Sequence, residues 1–283
     1  MKKLPLLTCL LLTCAFLGCQ KEDKPAPGVR YAKYTTGEVT INTAMSGTGR
    51  PAIVFIPGLL EYGAGAAGVG QKAWPSIHED LAGLSTLFTY DPAGTGGSPG
   101  RNDAFDYNDR ILHLRETLRK ADVPPPYVLV GHSIGGWIAR LYAHRFPDEV
   151  RGLVLVDATS EYQDEVHGQR LFGSDRETIA TVAALARQHF KGYDQAIGAL
   201  KGAPYLGNLP LAVIASDQTP CAELPGLSDA GCRTWNAIHD SLQTVQKGLS
   251  GQLRLFSKPA GSNHHVFRQQ PAAVREGIQS VLQ

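Results

Sequence analysis

Gly131-His132-Ser133-Ile134-Gly135 sets a serine between two glycines. A serine hydroxyl is a poor nucleophile until a base takes its proton, and that base needs a carboxylate to orient it. The chain carries both kinds of group further on. Asp157 and Asp217 each follow a short apolar run, and His264 and His265 stand side by side in a polar turn after the last such run. Residues of these types imply acyl transfer through a covalent serine intermediate, with a histidine carrying the proton.

The segments around Ser133 suit that task. Tyr127 to Val130 is apolar and mostly β-prone, the signature of a strand buried on both faces. From Ile134 the spacing becomes helical, with Ile138, Leu141 and Tyr142 on one face, until Pro147 stops the run. A strand that turns into a helix within one residue makes a sharp turn. The flanking glycines let backbone pass close by, and the hydroxyl is lifted clear at a helix N-terminus that favours developing negative charge.

Similar units lie on either side. Tyr31 to Thr36 and Glu38 to Met45 alternate around Gly37 like an edge hairpin. Ala52 to Ile56 is a continuous apolar run, hence a central strand, and ends at Pro57-Gly58. A Gly/Ala loop from Leu59 to Gln71 precedes a helix expected over Pro75 to Leu81 and a strand over Ser85 to Tyr90. Gly94-Thr95-Gly96 follows in a turn-rich loop, but the third glycine of a dinucleotide fingerprint is misplaced and no helix opens there. Tyr107 to Ala121 reads as a helix, Gly152 to Val156 as a buried strand, and Leu211 to Ala215 as another. Arg233 to Leu249 reads as a helix, Leu253 to Phe256 as the last strand, and Pro271 to Leu282 as the closing helix. Strands alternating with helices predict an α/β fold with a mostly parallel, doubly wound sheet. The helical, irregularly apolar stretch 159–208 predicts a cap inserted after the strand ending at Asp157.

From about Ala52 to the end, this pattern resembles the α/β-hydrolase superfamily, closest to its lipase, esterase and aminopeptidase-like members. The resemblance rests on Gly131 to Gly135, on the Gly58 turn after the first core strand, and on the Asp-x-x-Gly-x-Gly loop from Asp91 to Gly96. It implies a triad in the chain order serine, acid, histidine. His264 stands seven residues before Pro271, which is the family's spacing, so His264 is the base and His265 the reserve. Asp157 is the preferred acid and Asp217 the alternative. The backbone N–H groups of Leu59 and Ile134 are the implied oxyanion donors, and Pro57 stands where the family usually has a histidine.

The N-terminus reads as an export signal. Lys2 and Lys3 precede an apolar stretch of 14 residues, Leu4 to Leu17, well short of the roughly 20 needed to span a bilayer. Phe16-Leu17-Gly18-Cys19 resembles the lipobox of bacterial lipoproteins, which implies acylation of Cys19. The polar stretch 20–28 has the composition of a flexible tether. The expected organisation is a signal peptide at 1–18, a tether at 19–28 and one hydrolase domain at 29–283, which makes the protein an exported cell-envelope lipoprotein. A soluble periplasmic or secreted enzyme is the alternative. In that oxidising setting Cys221 and Cys232 are expected to form a disulfide rather than half a metal site.

The 283 residues suit one large domain. Net charge is +1, so nothing points to a nucleic-acid partner. The expected partners are a small ester or acyl substrate and a membrane reached through Cys19. The expected activity is that of a serine esterase or lipase, with no metal or organic cofactor; a lactone, a thioester or an N-terminal peptide bond is the alternative target. Tyr62, Trp74 and residues 160–208 are candidate pocket lining. Haloalkane dehalogenase and epoxide hydrolase chemistry needs an aspartate where Ser133 stands, which disfavours both. A binding protein that keeps the fold without turnover is the remaining rival.

Overall fold

The computed structural model describes residues 28–59, 81, 83–219, 221, 224 and 226–283. The signal segment, Cys19, Tyr62, Trp74 and all but the last residue of the helix expected over 75–81 lie outside them. So do residues 20–27 of the tether and all but the first residue of the Gly/Ala loop.

Among the described residues, eight strands form one sheet in the order β1-β2-β4-β3-β5-β6-β7-β8. They are β1 Arg30–Thr36, β2 Val39–Ser46, β3 Ala52–Ile56, β4 Leu87–Asp91, β5 Tyr127–His132, β6 Val150–Val156, β7 Leu211–Ile214 and β8 Leu253–Ser257. The first two are the antiparallel hairpin around Gly37, and β2 pairs antiparallel with β4. From β4 through β3, β5, β6 and β7 to β8 all pairing is parallel. Strands β3, β4 and β5 are buried along their whole length, as their unbroken apolar runs require of strands covered on both faces.

Helices supply that cover. α1 (Tyr107–Lys120) and α2 (Gly135–Arg145) put Ile111, Leu114, Leu118, Trp137 and Ile138 into the larger apolar cluster on one face. The other face is covered by the last helix, Pro271–Leu282, through Val274, Ile278 and Val281. The start of α1 is set by Asp106. Its carboxylate accepts from the N–H groups of Asn108 and Asp109, and the Asp109 carboxylate accepts from the N–H of Asp106 in return.

Three helices lie between β6 and β7: α3 Gln163–Arg170, α4 Gly173–His189 and α5 Tyr193–Gly202. They do not behave alike. α5 buries Tyr193, Ala196 and Leu200 in the same cluster as Trp137, so it belongs to the body. α4 has no buried residue, and α3 buries only His167. α6 (Asp229–Val245) starts four residues earlier than the sequence pattern suggests, because the Ser228 hydroxyl caps it by accepting from the Gly231 N–H. A short helix, α7 (Val266–Gln269), precedes the closing helix, α8 (Pro271–Leu282).

The Asp91–Gly96 loop is held from within. Asp91 Oδ2 accepts from the Gly97 N–H at 2.7 Å and from Asn42 Nδ2 at 3.0 Å. A Cβ on Gly96, where φ is 49°, would lie 2.5 Å from the Asp91 carboxyl carbon. That loop is a staple between β2 and β4.

Candidate active site

Ser133 follows β5 directly and precedes α2 by one residue. Its φ is 53°, in the left-handed region where a residue with a side chain is strained by about 1–3 kcal/mol. Neighbouring backbone holds it there. The Ser133 N–H donates to Val156 O at 3.2 Å, and Ser133 O accepts from the N–H groups of Gly136 at 3.0 Å and Thr159 at 3.1 Å. The glycines of the motif are needed for close approach: a Cβ on Gly131 would lie 2.7 Å from Gly135 O, and one on Gly135 would lie 2.5 Å from Ile56 O. Gly58 packs on the serine itself, where a Cβ would lie 2.8 Å from Ser133 Cβ. Leu59 therefore begins one residue from the serine, and Ile134 is the first residue after it.

Asp157 sits at the end of the adjacent strand, β6. It too has positive φ, 43°, and its N–H donates to Ile214 O at 2.7 Å. Its carboxylate is 1% exposed. Oδ2 accepts from Nδ1 of His264 at 2.7 Å, while Oδ1 accepts from Nε2 of His239 at 2.8 Å and from the Ser216 N–H at 2.7 Å. Burial works to raise this carboxyl; the two imidazoles outweigh it, His239 first, and hold it well below the usual carboxylate range.

His264 comes from the turn after β8. His132, the residue before the serine, donates from Nε2 to the His264 carbonyl at 2.8 Å, and the two rings lie 4.7 Å apart. The turn at Ser133 thus holds the histidine's backbone, while Asp157 holds its ring. Because Nδ1 faces Asp157, Nε2 is the nitrogen left for a serine proton. The Ser133 hydroxyl makes no hydrogen bond among the described residues; such contacts often tighten only when substrate is bound.

The alternative residues are placed otherwise. Asp217 accepts from the Gly261 N–H at 3.0 Å and lies 3.9 Å from Lys258, so it braces the turn that carries His264. His265 caps α7, with its N–H donating to Asn263 Oδ1 at 3.0 Å, and makes no contact with Asp157. Cys221 and Cys232 are joined, with Cα atoms 5.6 Å apart. This pins the segment after β7 to α6.

Ser133, Asp157, His264 and His265 line one cavity of about 450 Å³, whose other walls are largely apolar, with Ile179 and Val182 of α4, Leu224, Leu227 and Trp235. A larger groove of about 660 Å³ lies beside the start of β5. Apart from Asp122 its charged groups pair with each other, Arg115 with Glu149 and Arg119 with Glu116.

His239 escapes the sequence pattern that marks His264 and His265, because it lies inside a helix and not in a loop after a strand. The available signal was a histidine on the buried face of α6, in line with Cys232 and Trp235. A titratable ring on an apolar helix face needs a polar partner.

Comparison with known proteins agrees with this architecture. A family model for the alpha/beta hydrolase fold matches residues 51–197. The uncharacterized protein YqjL of Bacillus subtilis (strain 168) is 25% identical over 221 residues, covering 76% of this chain and 79% of that protein. The human (Lyso)-N-acylphosphatidylethanolamine lipase is 35% identical over 93 residues, a match that spans 32% of this chain and only 27% of the lipase. Among solved structures, a thermophilic esterase from Thermogutta terrifontis superposes with a TM-score of 0.54 at 18% identity, covering 89% of this chain and 98% of that one. At that identity the likeness establishes the fold.

Proposed function

The chain belongs to the α/β-hydrolase family, and on that premise we propose that it is a serine hydrolase cleaving a carboxylic ester through a Ser133 acyl-enzyme. One observation carries the reading. A buried carboxylate grips Nδ1 of His264 at 2.7 Å in the same cavity as a serine on a strained strand-to-helix turn. His264 Nε2 takes the hydroxyl proton as Ser133 Oγ attacks the acyl carbon. Asp157 stabilises the imidazolium that forms. Negative charge on the carbonyl oxygen is met by the N–H groups of Leu59 and Ile134, each donor supplying about 2.7–4 kcal/mol. His264 then passes its proton to the leaving alkoxide. A water, deprotonated by the same imidazole, hydrolyses the acyl-enzyme and restores the serine.

The walls indicate what enters. Ile179, Val182, Leu224, Leu227 and Trp235 suit an aliphatic or aromatic acyl group more than a charged one. Fluorophosphonate labelling of purified protein tests the reading, with Ser133→Ala and His264→Ala alongside. Labelling of the wild type that is lost in both variants is the expected result. A folded wild type that does not react overturns the reading and moves the binding-protein alternative forward.

The export signal and Cys19 complete the proposal: the enzyme acts at the cell envelope, tethered by an acyl chain. No helix among the described residues is long and apolar enough to cross a membrane. Mass spectrometry of the mature N-terminus checks the anchor, and an unmodified Cys19 rules it out.

A further inference from the structure

The Asp157 carboxylate faces two imidazoles, and the reaction above uses one. The second, His239, is 9% exposed and comes from α6, an element separate from the one that carries His264. Trp235 lies one turn earlier and stacks on it, with centroids 5.2 Å apart and planes 4° from parallel. Trp235 also stacks on His167 of α3, at 6.0 Å and 16°. A buried ring fixed this closely against the triad carboxylate is more than general packing requires.

We propose that His239 is a positioning residue acting through Asp157: neutral, it holds the carboxylate for His264, and protonated, it weakens His264 as a base. The inference rests on the serine-hydrolase reading. Its logic is a charge balance. With His239 neutral and donating from Nε2 to Oδ1, the cluster carries one negative charge, and a proton arriving on His264 completes an ion pair. With His239 already charged, the carboxylate is neutralised beforehand. A second proton then leaves a net positive charge in a buried site, where the cost is far greater than in water.

The surroundings of His239 act on its charge in opposing ways. Burial opposes its charged form; Asp157 and, more weakly, Asp240 favour it, Lys258 after β8 opposes it, and the sum lifts the imidazole above its ordinary value. The Ser216 hydroxyl lies 3.1 Å from Nε2, and His264 stands across the carboxylate. His167, at the far end of the stack, behaves differently. Burial pushes it down to about 4, and neither ring nitrogen finds a hydrogen-bond partner among the described residues. Of the two histidines stacked on Trp235, burial holds one neutral, while the Asp157 carboxylate favours the charged form of the other.

The test uses His239→Gln, whose amide still donates to Asp157 but does not titrate. Rates of fluorophosphonate labelling and p-nitrophenyl acetate hydrolysis are followed from about pH 4.5 to 9 for wild type and variant. Two coupled protons govern the wild-type acid limb and one governs the variant's. The variant limb is expected about half a pH unit or more lower and less steep, with the alkaline plateau retained within a few-fold. Superimposable limbs overturn the proposal and leave His239 a structural support. Imidazole NMR titration of the wild type needs neither turnover nor a folded variant: His239 and His264 are expected to titrate as a coupled pair, and independent titrations overturn the inference. If the wild type fails to label while the coupling is present, the serine-hydrolase reading falls and the proton linkage stands.

Discussion

Asp157 and Asp217 follow neighbouring parallel strands, β6 and β7, and in the sequence each is an acid at the end of an apolar run. Their surroundings have little in common. The Asp157 carboxylate is 1% exposed and is met by two imidazoles and a backbone N–H, whereas that of Asp217 is 37% exposed and is met by a glycine N–H and a distant lysine. The difference comes from what packs on each strand end. α6 crosses the end of β6 and lays Trp235 and His239 over it, and Trp235 is in turn covered by His167 of α3. The end of β7 opens toward solvent, and Asp217 is spent bracing the turn at Gly261. One strand end is thus dry enough for a carboxylate to command a histidine, and the other serves to hold that histidine's loop in place.

Substitution of the two acids should separate them most sharply. Asp157→Asn is expected to lower kcat on a p-nitrophenyl ester by about 10⁴-fold, and Asp217→Asn by less than about 10-fold. Equal losses, or the reverse order, would break the comparison. Chemical denaturation of the leucine variants gives the next largest contrast. Asp157→Leu strands the Ser216 N–H in the interior and removes the partner of the His264 Nδ1–H, at about 1–3 kcal/mol each, while Asp217→Leu is expected to cost about 1 kcal/mol or less.

Reducing the Cys221–Cys232 bond frees the segment after β7 from α6. The bond closes a separation of 11 residues and is worth about 3 kcal/mol by loop-closure entropy. Thr219, Leu224 and Leu227 of the freed segment line the cavity, so KM should rise more than kcat falls. A loss confined to kcat would contradict this.

The smallest effect is a pH dependence on the Asp157 side. His167 is held neutral in the fold down to about pH 4, whereas an unfolded chain binds that proton below about 6.5. The unfolded state therefore takes up more protons as pH falls, and stability declines from about pH 6.5 toward 4. His167→Phe, which keeps a flat ring against Trp235, should flatten that decline by about 2–3 kcal/mol. An unchanged slope would place the acid sensitivity elsewhere. Asp157 is shifted in the same direction but acts in a lower window: its contribution is complete above its unfolded value of about 3.9 and fades only as pH falls below that.

Much of this was legible from residue order. The elbow at Gly131 to Gly135, the buried runs of β3 to β6 and the histidine turn after β8 were each visible, because each is a local consequence of apolar periodicity and glycine spacing. The start of α6 was within reach too, since Ser228 and Asp229 form an N-cap signal that periodicity alone overlooked. The division among the cap helices was less accessible. α4 and α5 both read as helical, irregularly apolar sequence, yet only α5 buries residues in the Trp137 cluster.

By itself, then, the sequence determined the α/β alternation, the parallel sheet, the strained serine turn and the chain order of serine, acid and histidine. These follow from steric and hydrophobic constraints acting over a few residues at a time. Only the tertiary structure decided which aspartate is dry, which nitrogen of His264 faces it, and that His239 shares its carboxylate, 82 positions away. Burial and hydrogen-bond partnership are properties of what packs against a residue, and for these groups the packing elements lie far away in the chain.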